Sequence, residues 1–131
     1  MTVVFSADLL ASGLVEPNGA TVLRLWGEHA IRPALNRPLL VRYLRVLKAM
    51  GLSSEQLRWW GWWLTTPDTA QFVQDEPGQT TNHREECEYL AGLVGAEVII
   101  AGTTLFGAKS GPASDLSDVS WESPGEFVRR F

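Results

Sequence analysis

Short apolar runs alternate along the chain with segments in which apolar residues recur every three or four positions. Five of the runs have the length and composition of strands: Thr2–Phe5 and residues 30–35, 71–74, 97–101 and 119–121. The strand at residues 30–35 is predicted near a sheet edge, because Pro33 has no N–H to donate to a neighbour. Alternation of this kind predicts an α/β fold with a central, mostly parallel sheet of about five short strands flanked by helices.

Helical repeats fill the intervals between these strands. Four of them cover residues 20–29, 38–50, 84–94 and 124–130. A fifth helix is expected to begin after Ser53 or Ser54, either of which can cap it, and to end near Leu64. Asn18 is well placed to cap the helix over residues 20–29.

Two segments of the chain are rich in turn-forming residues and predict surface loops. Residues 75–82 are polar and contain Pro and Gly, and residues 109–117 contain Gly, Ser, Pro and Ala. No linker between domains is visible, and 131 residues are enough for one compact core but too few for two. We therefore expect one domain spanning residues 1–131.

Composition excludes several classes of protein. The content of 45% hydrophobic and 20% charged residues is ordinary for a globular domain. A net charge of −4 gives no global attraction for nucleic acid, although an acidic protein can still carry a local basic patch. Cys87 is the single cysteine, and neither a signal-peptide pattern nor a run of about 20 apolar residues is present. We expect a cytoplasmic protein that does not insert into membranes.

Candidate chemistry is expected where the predicted strands end, because ligands of open parallel sheets bind beyond the carboxyl ends of the strands. Ser6, Ala7 and Asp8 follow the first strand. Gly102 and Thr103 follow the fourth. These two short segments are therefore predicted to form the functional edge of the sheet.

Four stretches of sequence carry a family resemblance. They are VVFSADLL at residues 3–10, RPLLVRYLRVL at 37–47, ECEYLA at 86–91 leading to GAEVIIAGT at 95–103, and SPGEF at 123–127. In order and spacing the chain resembles the PIN-domain family, and within it the toxin components of toxin-antitoxin systems. The resemblance covers nearly the whole chain and implies a three-layer PIN-like fold. It also implies a ribonuclease whose acidic side chains hold Mg²⁺ or Mn²⁺ to activate water.

The acidic site of the family is largely substituted in this chain. The resemblance places its four carboxylates at Ser6, Arg42, Glu86 and Thr103, with Glu85 as an alternative to Glu86. Ser and Thr lack the charge that holds a divalent cation, and a guanidinium repels one. We therefore expect no metal cofactor and a degenerate PIN domain without metal-dependent nuclease activity.

Arg42 leads to a specific hypothesis about the substituted site. Asp8 lies two residues after Ser6, on the same face if the segment is extended, and is the first ion-pair partner expected for Arg42, with Glu86 as the second. We hypothesise that Arg42 takes the space and charge role of the lost metal. Alternatively, Arg42 points to solvent, Glu86 is a solvated acid of a first helical turn, and Asp8 is a capping residue.

A rearranged acidic site is the alternative function. If the chain is an active endoribonuclease, Asp8, Glu85 and Glu86, with Glu88 nearby, are the expected Mg²⁺ or Mn²⁺ ligands. A third hypothesis is a metal-free nucleic-acid binder that uses Arg42 against phosphate.

Other chemistry receives little support from the sequence. His29 and His83 have no His or Cys neighbour at metal-binding spacing and are predicted on the surface. Cys87 has no adjacent His base in the sequence, so a cysteine nucleophile is not indicated.

Four tryptophans surround Gly61, at positions 59, 60, 62 and 63, and cannot all face one core at 100° per residue. The preferred interpretation is an interface formed by Trp59, Trp62 and Trp63 that joins two copies as a homodimer. An antitoxin-like protein is another partner that the resemblance implies.

Two alternatives for the tryptophan helix stay open. The indoles can stack on single-stranded RNA bases, with Arg58, Arg45 and Lys48 contacting phosphates. They can also fill a core whose other helices contribute small residues, with Gly61 permitting close helix approach.

Overall fold

Strands and helices follow the order that the hydrophobic pattern predicts, with an additional helix after the first strand and an additional short strand at residues 111–112. The computed structural model describes residues 1–74, 82–102, 111–112 and 119–131. Within these ranges the elements are β1 (Thr2–Phe5), α1 (Ala7–Val15), α2 (Pro17–Gly27), β2 (Arg32–Leu35), α3 (Arg37–Ala49), α4 (Ser54–Thr65), β3 (Gln71–Phe72), α5 (His83–Val94), β4 (Val98–Ile100), β5 (Gly111–Pro112), β6 (Ser120–Glu122) and α6 (Pro124–Arg130).

One sheet contains all of the described strands, in the spatial order β3-β2-β1-β4-β6-β5. The first five in this order run parallel, and β5 pairs antiparallel with β6. Phe5 is in register with Ile100, so β1 and β4 end side by side. The predicted α/β fold with a mostly parallel sheet is confirmed.

Helices flank the sheet in a three-layer arrangement. The chain steps from β1 to β2 to β3 in one direction and then crosses back to β4. Because parallel crossovers are right-handed, α1 to α4 belong to one face and α5 to the other. Contacts agree with this assignment: α1 packs on α2 and α3, α2 packs on α6, and α5 packs on β1, β2 and β4.

The core lies against both faces of β1 and continues under the helices. Val3, Val4 and Phe5 are fully buried, as expected for the centre of a parallel sheet. Trp26 of α2 meets the edge of the Phe5 ring at 5.6 Å between centroids. Its indole Nε1 donates to the carbonyl of Thr69 at 2.6 Å, so the buried polar atom has a partner. Burial of this large ring fixes α2 on the sheet.

The start of the chain differs from the prediction. Residues 7–15 form a helix that the sequence analysis did not include, so Asp8 lies in a first helical turn and not in an extended segment. The next helix begins at Pro17, and Asn18 lies inside it instead of capping it. Proline suits the first helical position, where its missing N–H has no intrahelical role.

Pro33 lies on an interior strand, so its assignment to a sheet edge was wrong. Its strand pairs with β1 through Val3 and Pro33, and with β3 only from Ala34 onward. Pro33 therefore precedes the ladder that its missing N–H would have interrupted.

The two predicted loops fall mainly outside the described residues. Within residues 109–117 the structure describes positions 111–112, which form a short strand. Of residues 75–82 it describes Asn82, whose side chain caps α5 by accepting from the N–H of Glu85 at 2.8 Å.

Candidate functional site

Asp8 is held at the point where β1 and β4 end together. Its Oδ1 accepts a hydrogen bond from the hydroxyl of Ser6 and another from the N–H of Gly102 at 3.1 Å. The N–H of Ser6 in turn donates to the carbonyl of Ile100 at 3.0 Å. Both Ser6 and Asp8 are buried. The carboxylate is therefore a structural link between two adjacent strand ends.

Gly102 makes this close approach possible because it has no side chain. A Cβ at this position would lie 2.8 Å from the backbone oxygen of Asp8 and 2.8 Å from the hydroxyl of Ser12. Separations this short are repulsive, so another residue would push α1 away from the end of β4. The position requires glycine for space.

Arg42 reaches Glu86 from the opposite layer of the molecule. Its Nε and Nη2 lie 2.9 and 2.6 Å from Oε1 of Glu86. Glu86 is 5% exposed, whereas 40% of the Arg42 side chain is exposed. Within the described part of the chain, Oε2 of Glu86 is buried and has no hydrogen-bond partner. One guanidinium thus compensates a carboxylate that is almost fully removed from water.

Helix α3 presents Arg42 at a defined position. The Asn36 side chain caps this helix by accepting from the N–H of Leu39 at 3.2 Å. Tyr43 is buried, and its hydroxyl donates to the carbonyl of Phe5 at 2.5 Å. Burial raises the pKa of Tyr43 well above its usual value, so the phenol stays protonated and keeps this bond. The helix is tied to the end of β1 immediately beside Arg42.

His83 is buried in the site, and its prediction as a surface residue was wrong. Its Nε2 accepts the N–H of Ala7 at 2.9 Å, which requires a lone pair on that nitrogen. Burial is the main cause that lowers the pKa of His83, and the positive charge of Arg42 lowers it further. Glu86 and Asp8 oppose this effect. The neutral ring, with its proton on Nδ1, is the state that supports the bond.

Cys87 lies close to His83, although the sequence analysis found no adjacent base. Its Sγ is 3.9 Å from each ring nitrogen of His83. Burial raises the pKa of the Cys87 thiol well above its usual value, and the charge of Glu86 adds to this. The reactive thiolate is therefore suppressed, and the pair does not form an activated nucleophile.

Donors already contact one oxygen of each of the two buried carboxylates. Arg42 covers Oε1 of Glu86, and Ser6 and Gly102 both donate to Oδ1 of Asp8. A unit charge about 4 Å from the guanidinium meets a repulsion of about 4 kcal/mol at an effective dielectric constant of about 20, and a divalent ion twice that. Among the described residues, no group of three or more His, Cys, Asp or Glu side chains could hold a metal.

Comparisons with family models, curated proteins and solved structures found no match to this chain. Functional inference therefore rests on the residues themselves.

The predicted site residues divide into two contacting pairs. Ser6 contacts Asp8, and Arg42 contacts Glu86. Glu86 faces inward, while the alternative Glu85 is exposed. Thr103 lies outside the described residues. Arg42 therefore pairs with the residue that was expected to be its second partner.

Sequence reasoning missed His83, which lies on the same helix as Glu86 and accepts from the N–H of Ala7, the residue between Ser6 and Asp8. A signal for it is present in the sequence. Asn82 is a favourable helix cap, and a helix that begins at His83 places Glu86 and Cys87 three and four positions later on the same face. If this face of the helix had been predicted to be buried, His83 would have been included in the predicted site.

The tryptophans of α4 form a graded series from core to solvent. Trp60 and Trp63 are half-buried and each lies 5.9 Å from the core residue Trp26 between ring centroids. Trp59 and Trp62 are 51% and 58% exposed. Two indoles thus complete the core and two are left at the surface. A Cβ at Gly61 would meet nothing within 4 Å, so close approach of another helix does not explain that glycine.

Proposed function

We propose that this chain is a degenerate PIN-like protein, resembling the toxin components of toxin-antitoxin systems, that does not bind a divalent metal or cleave RNA. It acts by binding another macromolecule. The observation that carries the proposal is the 2.6 Å contact between Arg42 and Glu86. A fixed positive charge sits on the one carboxylate that the resemblance retains.

Charge supports this proposal in two ways. First, Glu86 needs a cationic partner because a buried carboxylate is costly without one, and Arg42 supplies it permanently. Second, Asp8 satisfies its Oδ1 with two donors, so it does not depend on a metal for compensation. The carboxylates are stabilised by the protein itself.

A rearranged ribonuclease is the second candidate function. Oε2 of Glu86, which has no partner among the described residues, is the observation that favours it. For Asp8 and Glu86 to share a cation, the Arg42 side chain would have to leave Glu86. Because 40% of the Arg42 side chain is exposed, it has room to move away from Glu86. An activity assay has to exclude this movement.

The test restores the charges that the resemblance predicts. We compare the natural protein with a triple variant carrying Ser6→Asp, Arg42→Glu and Thr103→Asp, and follow thermal unfolding with and without Mn²⁺. The triple variant is expected to be less stable without metal, because its carboxylates repel one another. At Mn²⁺ about 100-fold above the dissociation constant it should gain about 2.7 kcal/mol.

Natural protein should show no Mn²⁺-dependent stabilisation and no cleavage of a labelled single-stranded RNA. In the Mn²⁺ unfolding measurement, Arg45→Glu makes the same charge change at an exposed position of the same helix and serves as the matched control. Cleavage by the natural protein that requires Mn²⁺ and is lost in Asp8→Ala would establish the rearranged ribonuclease instead.

No helix in the described ranges has the length and apolar character needed to cross a membrane. We propose a cytoplasmic protein whose partner is a second copy, an antitoxin-like protein or RNA. Sedimentation of the purified chain tests the predicted homodimer directly.

A further inference from the structure

Positive charge is concentrated on the pair of helices that carries the tryptophans. The segment from Arg37 to Thr65, which contains α3 and α4, has five basic residues and one acidic residue, a net charge of +4. The whole chain has a net charge of −4, so the rest of the chain carries −8. The α3–α4 pair is therefore a basic region on an acidic protein.

Four of the five cations in this region form no ion pair within the described part of the chain, unlike several cations elsewhere. Outside it, Arg24, Arg84 and Arg130 pair with Glu28, Glu88 and Glu122. Four basic residues of α3 and α4 are exposed, and in the described part of the chain they take part in no ion pair: Arg37, Arg45, Lys48 and Arg58. The solvated charges on these helices are therefore mainly positive, with Glu55 as the one acidic residue.

Spacing on α3 suits an extended polyanion. Arg37, Arg45 and Lys48 are eight and three residues apart, so they recur along one side of the helix. At 1.5 Å per residue they are separated by about 12 and about 4.5 Å along the axis.

The exposed indoles lie on α4, which packs against α3, and their positions are fixed by other rings. Trp59 stacks on Trp63 with 5.5 Å between centroids and 10° between planes. Trp63 in turn contacts the buried Trp26. The outer face of Trp59 is therefore a fixed aromatic platform, and Trp62 adds a second exposed ring.

A symmetric homodimer is a poor occupant for this surface. An isologous interface would place two regions of net positive charge against each other, which costs free energy. An acidic polypeptide would match the charge but offers few planar groups to the indoles. A duplex covers its base faces, whereas a single strand presents both phosphates and unstacked bases.

We propose that the surface formed by Trp59, Trp62 and the four exposed cations of α3 and α4 binds single-stranded nucleic acid with little sequence preference. Bases stack on the indoles, and the cations contact phosphates. Binding at this surface is independent of the Arg42–Glu86 site and requires no metal.

The test is a fluorescence-anisotropy titration of the full chain with a labelled 12-nucleotide oligo(U), in EDTA so that metal-dependent cleavage cannot contribute. Trp59→Ala should weaken binding roughly fivefold to a hundredfold. Arg45→Gln should reduce the slope of log affinity against log salt by about 0.7. Tyr89→Ala on α5 and Arg129→Gln on α6 are matched controls on other helices and should leave affinity unchanged.

Competition separates the possible occupants. Unlabelled oligo(U) should displace the probe far better than a duplex or inorganic polyphosphate at equal phosphate concentration. Equal competition by polyphosphate, with no effect of Trp59→Ala, would overturn the proposal in favour of purely electrostatic binding. Absence of binding overturns it as well, and a dimer that Trp59→Ala dissociates would then assign the surface to self-association. None of these outcomes bears on whether the acidic site binds Mn²⁺.

Discussion

The guanidinium of Arg42 lies 2.6 Å from Oε1 of Glu86 and joins α3 on one face of the sheet to α5 on the other. The contact is made beside the ends of β1 and β4, where open α/β sheets bind ligands. Arg42 and Glu86, one from each helical layer, thus cover the sheet edge where a ligand would be expected to bind. Predictions about this contact test both stability and function.

Removing one partner of this ion pair should lower the free energy of unfolding by more than removing both partners. Arg42→Met leaves Glu86 buried and uncompensated, and should lower the free energy of unfolding by about 1 to 3 kcal/mol, since the exposed part of Arg42 moderates the effect. The double variant Arg42→Met with Glu86→Leu should recover most of that loss. Urea denaturation at pH 7 measures the free energy of unfolding of the single and the double variant, with Arg45→Met as control. Equal losses in the single and double variants would contradict a charge-compensating role for Arg42.

His83 should make stability dependent on pH in the mildly acidic range. Its pKa in the folded protein is lowered, chiefly by burial, so below about pH 6.5 the unfolded chain takes up a proton more readily than the folded one. Stability contributed by the neutral ring is therefore present above about pH 6.5 and is lost as the pH falls toward the lowered value. Protonation also removes the lone pair that accepts from Ala7.

His83→Gln provides the corresponding comparison, because an amide oxygen can accept from Ala7 at any pH. Thermal unfolding from pH 7.5 to 5 should show a steeper decline for the natural protein than for this variant. His29→Gln changes an exposed histidine and should retain the natural profile. If His83→Gln and the natural protein decline in parallel, His83 is not the titrating group.

Two glycines should respond in opposite ways to a single added methyl group. Gly102→Ala brings a Cβ within 2.8 Å of Asp8 and should destabilise the protein by about 1 to 3 kcal/mol. Gly61→Ala places a Cβ where nothing lies within 4 Å, inside a helix, and should stabilise by about 0.5 to 1 kcal/mol. Denaturation midpoints of the two variants check the signs. A tolerated Gly102→Ala would show that α1 can move away from β4.

Burial should rank the tryptophans by their effect on stability. Trp26→Ala removes a core ring and leaves the Thr69 carbonyl without its donor, at a cost of about 3 to 5 kcal/mol. Trp62→Ala removes a mostly exposed ring and should cost less than about 1 kcal/mol. Calorimetric unfolding of both variants provides the comparison. A large loss for Trp62→Ala would indicate that it packs in an assembly of chains.

Local signals account for much of what could be predicted. Helix α3 has apolar residues at regular helical spacing, and Ser53 and Ser123 each form a complete capping box in the structure. Such features depend on residues a few positions apart, which are visible in the sequence. The strands were recognisable for the same reason, and their parallel arrangement followed from the alternation with helices.

Long-range features could not be predicted in the same way. Helix α1 has no side-chain cap and contains Gly13, so packing and not local preference stabilises it. The burial of His83 depends on a partner, Ala7, that lies 76 residues away. Arg42 pairs with Glu86 and not with Asp8 because of the way in which α3 and α5 meet at the sheet edge. These contacts follow from the assembled fold.

Mn²⁺ titration of the natural protein by calorimetry tests most directly whether Arg42 replaces a metal at this edge. We predict no binding, because the guanidinium occupies Glu86 and repels the cation. Tight Mn²⁺ binding that disappears in Asp8→Ala or Glu86→Ala would contradict the claim and identify a working metal site.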